Sequence, residues 1–154
     1  MPGFWLNGAM PSTELVSSSA EETMEIGRRL AKRLRAPVLV LLSGDLGSGK
    51  TTISKGIISG LGVAQEEEVT SPTFTLVHVF RKQVTVYHVD LYRVEGFHDL
   101  ESLGLEDAFA EPAIVIIEWA ERFTMRTDWP RVAIDLEHAD EDKRRIRISL
   151  PEST

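Results

Sequence analysis

The chain has 154 residues, 42% of them hydrophobic and 27% charged, with a formal net charge of −7 and a sequence pI of about 5.1. This is the make-up of an ordinary globular protein that buries its own core, and the length suits a single domain, 1–154, with flexible ends at 1–12 and 151–154. The absence of cysteine excludes thiol catalysis, sulfur-held zinc and disulfide frameworks. An acidic balance argues against DNA or RNA as a stand-alone ligand, because holding nucleic acid calls for a basic face. It leaves open a place beside a partner that does the holding. The opening MPGFWLNGAM lacks a basic region followed by an apolar run, so no signal peptide is expected. No apolar stretch approaches the ~20 residues of a spanning helix. The expectation is a cytoplasmic protein with no membrane partner.

In chain order, Thr13–Ser17 reads as a short edge strand. Ser19 followed by Glu22 fits a capping box, which predicts a helix from Ala20 to about Arg35. Ala20, Thr23, Met24, Gly27, Leu30, Ala31 and Leu34 fall on one stripe of it, with Glu21, Glu25, Arg28, Arg29, Lys32 and Arg33 opposite. Pro37 opens VLVLLS, a continuous apolar run expected to be a strand buried on both faces. Lys50–Leu61 reads as a helix ended by Gly62, and residues 64–72 as a polar, acidic loop. Phe74–Phe80 and Val84–Tyr92 are β-rich and separated only by Arg81-Lys82-Gln83, which predicts an antiparallel hairpin. Phe97–Phe109 reads as helical with a break at Gly104, and Phe97, Leu100, Leu103 and Leu105 as its packing side chains. AIVIIEW (Ala113–Trp119) is a second buried strand, and two further strands close the chain around a turn at Ala139–Asp142. The expected fold is α/β, a mixed sheet flanked by helices in the manner of P-loop NTPases.

Between the first buried strand and its helix stands GDLGSGKT, Gly44–Thr51. Glycines at 44, 47 and 49 let the backbone curl so that N–H groups converge, and the following helix adds its positive N-terminal dipole. The binding segment is read as Gly44, Leu46, Gly47, Ser48, Gly49, Lys50, Thr51 and Thr52. Lys50 would reach the β- and γ-phosphates and Thr51 would offer its hydroxyl to Mg²⁺. A chance match of this pattern occurs roughly once in a few hundred chains of this length, and its strand–loop–helix setting strengthens it further. The plain alternative is a glycine-rich turn that happens to contain Lys-Thr. The ligand expected is Mg·ATP, since no Asn-Lys-x-Asp segment is present to read guanine.

Triphosphate hydrolysis also needs an acid at a strand end on the magnesium side. Glu118, ending AIVIIE, and Asp90, ending VTVYHVD, are both candidates, and the residues do not decide which touches the metal. Ser71-Pro72-Thr73-Phe74-Thr75 carries three hydroxyls beside a stiffening proline. It reads either as a sensor of the γ-phosphate or as a proline turn leading into a strand.

Taken in order, GDLGSGKTT, SPTFTLV, YHVDLYR and IIEWAER resemble the bacterial TsaE family, the small ATPase of the tRNA threonylcarbamoyladenosine machinery. The resemblance spans about Ser19 to Leu150. It implies that Lys50 binds phosphates and Thr51 ligates Mg²⁺, with Glu118 as the strand-end acid on the metal, directly or through water. It implies that Asp90 orients water or holds the metal's outer shell, that Thr73 acts as a switch residue, and that Trp119 lies near nucleotide or a partner. It also implies partners, TsaB and TsaD, which carry the threonylcarbamoyl transfer and hold the tRNA, while the ATPase supports further catalytic cycles. Ala120 follows Trp119 where the family commonly has proline. Ser19–Thr23 is a candidate wall for adenine.

Other features read as structural. His78, His88, His98 and His138 lack metal-ligand spacing, and His78 and His88 are expected across the hairpin from one another as strand histidines. The run Lys143, Arg144, Arg145, Arg147 reads as a solvated face, with a nucleotide or tRNA contact as the lesser reading. Arg93, Arg122 and Arg126 stand near the acids without the context of an arginine finger. Two rival functions remain. A small-molecule kinase would show a lid bearing arginines, which acidic Phe97–Phe109 lacks. A nucleotide-dependent binding switch would bind without turnover.

Overall fold

The apolar run after Pro37 forms the central strand β2 (Val38–Gly44). Leu39, Val40 and Leu42 are fully buried there, as a strand covered on both faces must be. A computed structural model describes residues 12–45, 47–70, 76–125, 127–140 and 142–151. Around β2 stand β1 (Ser12–Ser17), α1 (Ala20–Ala31), α2 (Lys50–Gly60), β3 (Val77–Arg81), β4 (Thr85–Asp90), α3 (Phe97–Ser102), α4 (Leu105–Ala108), β5 (Ile114–Glu118), β6 (Arg131–Asp140) and β7 (Lys143–Ser149). Single 3₁₀ turns lie at Glu66–Glu68 and Ala120–Arg122.

The seven strands form one sheet in the order β1-β7-β6-β2-β5-β4-β3. Its centre is parallel, with β2 paired to β5 and β6, and β5 to β4. The flanks are antiparallel: β3 on β4, β7 on β6, and β1 on β7 as an edge strand. This is the mixed α/β sheet with helices on its faces that the pattern predicts.

Side-chain alternation divides the core in two. On one face Val40, Leu42, Ile116 and Ile134 meet Ile26 and Leu30 of α1 and Ile53 and Ile57 of α2. On the other, Leu39, Val89, Val115 and Ile117 meet Leu105 and Ala108 of α4, with Leu100 and Leu103 packed alongside. The side chain of Phe97, expected in this group, lies outside the described residues. Glycine allows α1 and α2 to touch backbone to backbone. A Cβ at Gly27 would sit 2.5 Å from the Ile53 carbonyl oxygen, and one at Gly56 would run into the Met24 carbonyl.

Three local readings need adjustment. The helix α1 ends at Ala31 rather than near Arg35; Leu34 is still buried, just past the turn at residues 32–33. Its buried stripe includes Ile26, and Ala20 is exposed. The capping glutamate works one position earlier than the usual box, since Ser19 Oγ accepts from Glu22 N while Glu22 Oε2 accepts from Ser18 N. Segment 97–109 forms two short helices with the break at Gly104, at φ 69°, as the sequence predicts. Among the described residues no helix is long and apolar enough to cross a membrane.

Candidate functional site

The carboxyl ends of β2, β4 and β5 converge, which is where open α/β sheets place ligands. Gly44 ends β2, Asp90 ends β4 and Glu118 ends β5, and Asp90 and Glu118 are direct partners across the parallel ladder. The loop after β2 needs its glycines. Gly44, Gly47 and Gly49 have φ of 146°, 78° and 107°, conformations that side-chain-bearing residues rarely adopt. A Cβ at Gly44 would also press on the Leu136 carbonyl and stand 2.7 Å from Ser48 Oγ. Gly49 caps α2 without a side chain, and no acid stands in the first turn of that helix. Its dipole therefore faces outward uncompensated, a setting that favours an anion.

Lys50 is buried, with 5% of its surface exposed. Its Nζ donates to the carbonyls of Gly44 at 2.5 Å and Asp45 at 2.9 Å, and lies 3.8 Å from the centroid of the Trp119 ring. Burial pushes this ammonium below its ordinary 10.5, against the pull of Glu121, Glu118, Asp90 and Asp45. Thr51, the next residue, donates its hydroxyl to Glu118 Oε1 at 3.0 Å. The other oxygen of Glu118 lies 2.5 Å from His88 Nε2. Asp90 Oδ1 accepts from Tyr92 N at 2.8 Å, and both acids are 2% exposed. Trp119, at φ 63°, turns its ring onto Tyr92 with centroids 4.8 Å apart.

Lys50, Thr51, Asp90, Tyr92, Glu118 and Trp119 border a cavity of about 560 Å³. Gly47, Gly49, Lys50, Thr51 and Thr52 form its floor, and Asp90 and Glu118 one wall beside Tyr92 and Trp119. Ser18, Ser19, Ala20, Thr23, Asp142 and Arg144 complete its lining. Ser19, Ala20 and Thr23 of the segment proposed from sequence as an adenine wall thus share this cavity with the loop, and Arg144 comes from the basic run read as a solvated face. Ser48 is buried under the loop, its N–H donated to Asp45 O. Leu46, Thr73 and the rest of residues 71–75, and Arg126, lie outside the described residues. Arg122 donates to Val94 O at 2.9 Å and so ties two loops together.

Sequence reading missed His88, Tyr92 and Glu121 as parts of this place. Glu121 Oε2 accepts from Gly44 N at 3.2 Å. The available signal for His88 was its position two residues before Asp90, which puts both on one face of β4.

The donor set fits a phosphate chain with a divalent cation. Glycine backbone, a helix N-terminus and Lys50 suit phosphates, but Asp90 and Glu118 would repel them unless a cation stood between. Among the described residues no three His, Asp or Glu gather into a metal cage. A hydroxyl and one carboxylate match Mg²⁺, which takes few protein ligands and completes its shell with phosphate and water.

Strand, glycine loop, helix with Lys-Thr, and a strand-end glutamate bonded to that threonine together define a P-loop α/β protein. Residues 17–146 match the family model described as Threonylcarbamoyl adenosine biosynthesis protein TsaE. The chain is 35% identical to the tRNA threonylcarbamoyladenosine biosynthesis protein TsaE of Treponema pallidum over 134 residues, covering 87% of this chain and 98% of that one. Against the proteins of the same name, identity is 40% over 128 residues for Streptomyces coelicolor (80% and 76% covered) and 36% over 130 residues for Bacillus subtilis (84% and 80%). The crystal structure of Bacillus subtilis YdiB superposes with a TM-score of 0.71 at 28% identity, covering 91% of this chain and 86% of that one. The chain belongs to the TsaE family.

Proposed function

We propose that this protein is a Mg·ATP-hydrolysing member of the TsaE family that supports formation of threonylcarbamoyladenosine in tRNAs reading A-starting codons. The observation that carries the reading is the 3.0 Å hydrogen bond from Thr51 Oγ1 to Glu118 Oε1 beside the buried Lys50. It joins the two oxygens that a P-loop site uses for magnesium. Bound Mg·ATP supplies the reactive phosphoanhydride and neutralises its oxygens. The chain's part is to bind and orient. Gly44, Gly47, Ser48, Gly49 and Thr52 shape the cradle, and Lys50 has its ammonium at the loop mouth. Thr51 and Glu118 hold the cation, while Asp90, fixed by Tyr92 N, orients water. The same reading gives Leu46 to the loop and a switch role to Thr73.

TsaB and TsaD are the partners of this reading, and tRNA is reached through them; the net charge of −7 supports that division. The setting is one domain in the cytoplasm. Turnover is weak alone and rises with partners. The test measures ATP hydrolysis by the protein alone, with TsaB and TsaD added, and with candidate small-molecule acceptors. Stimulation by the partners is expected. Stimulation by an acceptor with a phosphorylated product would make the protein a kinase, and tight binding without turnover even beside its partners would make it a switch.

A further inference from the structure

His88 has none of its surface exposed and does not line the cavity, yet it reaches the acid that does. Its Nε2 lies 2.5 Å from Glu118 Oε2, while Glu118 Oε1 accepts the Thr51 hydroxyl at 3.0 Å. The carboxylate is therefore held at both oxygens, by β4 on one side and α2 on the other. The register explains the reach. Asp90 pairs with Glu118 across β4 and β5, and His88, two residues earlier, shares the face of Asp90. Among the described residues His88 Nδ1 has no hydrogen-bond partner. A proton there would be a buried donor without an acceptor, so the ring's proton belongs on Nε2, facing Glu118. The His78 ring stands edge-on to it, with centroids 6.3 Å apart.

A terminal carboxylate rotates easily about its last torsion, and a single bond to Thr51 leaves its plane undetermined. A second donor, rigid and buried, removes that freedom before any ligand arrives. Metal sites use the same device, in which a group behind the ligand fixes its orientation. The geometry points to His88 as a positioning residue that aims Glu118 at Thr51 and the cation they share. It rests on the Mg·ATP reading given above, and it adds a residue that touches neither nucleotide nor metal.

The test titrates Mg²⁺ against binding of a fluorescent ADP analogue by the full chain, as wild type, His88→Leu and His88→Gln. The same binding is measured in EDTA. His88→Leu is expected to raise the half-saturating Mg²⁺ concentration by about 10–100-fold and to leave affinity in EDTA unchanged. His88→Gln, whose amide can donate from a similar distance, is expected to recover most of the loss. A wild-type Mg²⁺ requirement in His88→Leu would overturn the inference. So would equal losses with and without Mg²⁺, or no recovery in His88→Gln. Should His88→Leu not fold, nitrogen-15 histidine spectra of the wild type still decide the matter. They should show one exchange-protected Nε2–H that Glu118→Ala abolishes, and its absence would overturn the assignment. Failure of the Mg·ATP reading looks different: the wild type itself would bind the analogue identically with Mg²⁺ and with EDTA.

Discussion

Thr51 and Glu118, 67 positions apart, meet through a 3.0 Å hydrogen bond between the first turn of α2 and the end of β5. Asp90, the strand partner of Glu118, accepts from Tyr92 N at 2.8 Å. The proposed division gives Glu118 the cation and Asp90 the water. Asp90→Asn is expected to lower ATP turnover by on the order of 100-fold while leaving Mg·ATP affinity within about threefold. Steady-state kinetics beside direct binding separates these, and matching losses in both would contradict the division.

Lys50 is buried with its ammonium pulled below its ordinary value by desolvation. Removing a buried charge offsets part of the loss of its hydrogen bonds. Lys50→Met is expected to keep unfolding free energy within about 1 kcal/mol of wild type. Nucleotide affinity should fall on the order of 100-fold, since a charge-assisted contact to phosphate is gone. Chemical denaturation and binding measured on one preparation check both halves. A collapse in stability would contradict the first.

The contact between α1 and α2 has no room for a methyl group at Gly56, where it would overlap the Met24 carbonyl. Gly56→Ala should cost at least about 2 kcal/mol through forced separation of the helices. Thermal unfolding would register it as a Tm lower by about 4–8 °C. A wild-type Tm would show that the helices slide apart without cost.

His78 on β3 is held below its ordinary 6.5 by desolvation, with a smaller push from His88. The folded ring therefore takes up its proton at lower pH than the unfolded chain does. Between those two values the unfolded chain binds more protons, so stability falls as pH drops through 6.5 toward the folded value. His78→Phe should flatten that part of the stability curve, as followed by urea denaturation at a series of pH values. Parallel curves for the two proteins would contradict the assignment.

Local chemistry made much of this legible. GDLGSGKT between an apolar run and a helix announces its loop because positive φ and phosphate binding both demand those residues. The hairpin of β3 and β4 follows from two β-rich runs around Arg81-Lys82-Gln83. What escaped depends on long-range register. The pull of His88 on Glu118 arises only when β4 and β5 pair, and the approach of Arg144 to the cavity only when β7 folds back on β6. Likewise the amphipathic pattern runs on through Leu34, although α1 ends at Ala31.

A Mg·ATP site built on Thr51 and Glu118 is tested by calorimetric titration of ATP into wild type and Glu118→Gln, with Mg²⁺ and with EDTA. Mg²⁺ should strengthen binding to the wild type by at least about tenfold, and Glu118→Gln should lose this gain while keeping its binding in EDTA. An equal gain from Mg²⁺ in both proteins would contradict it.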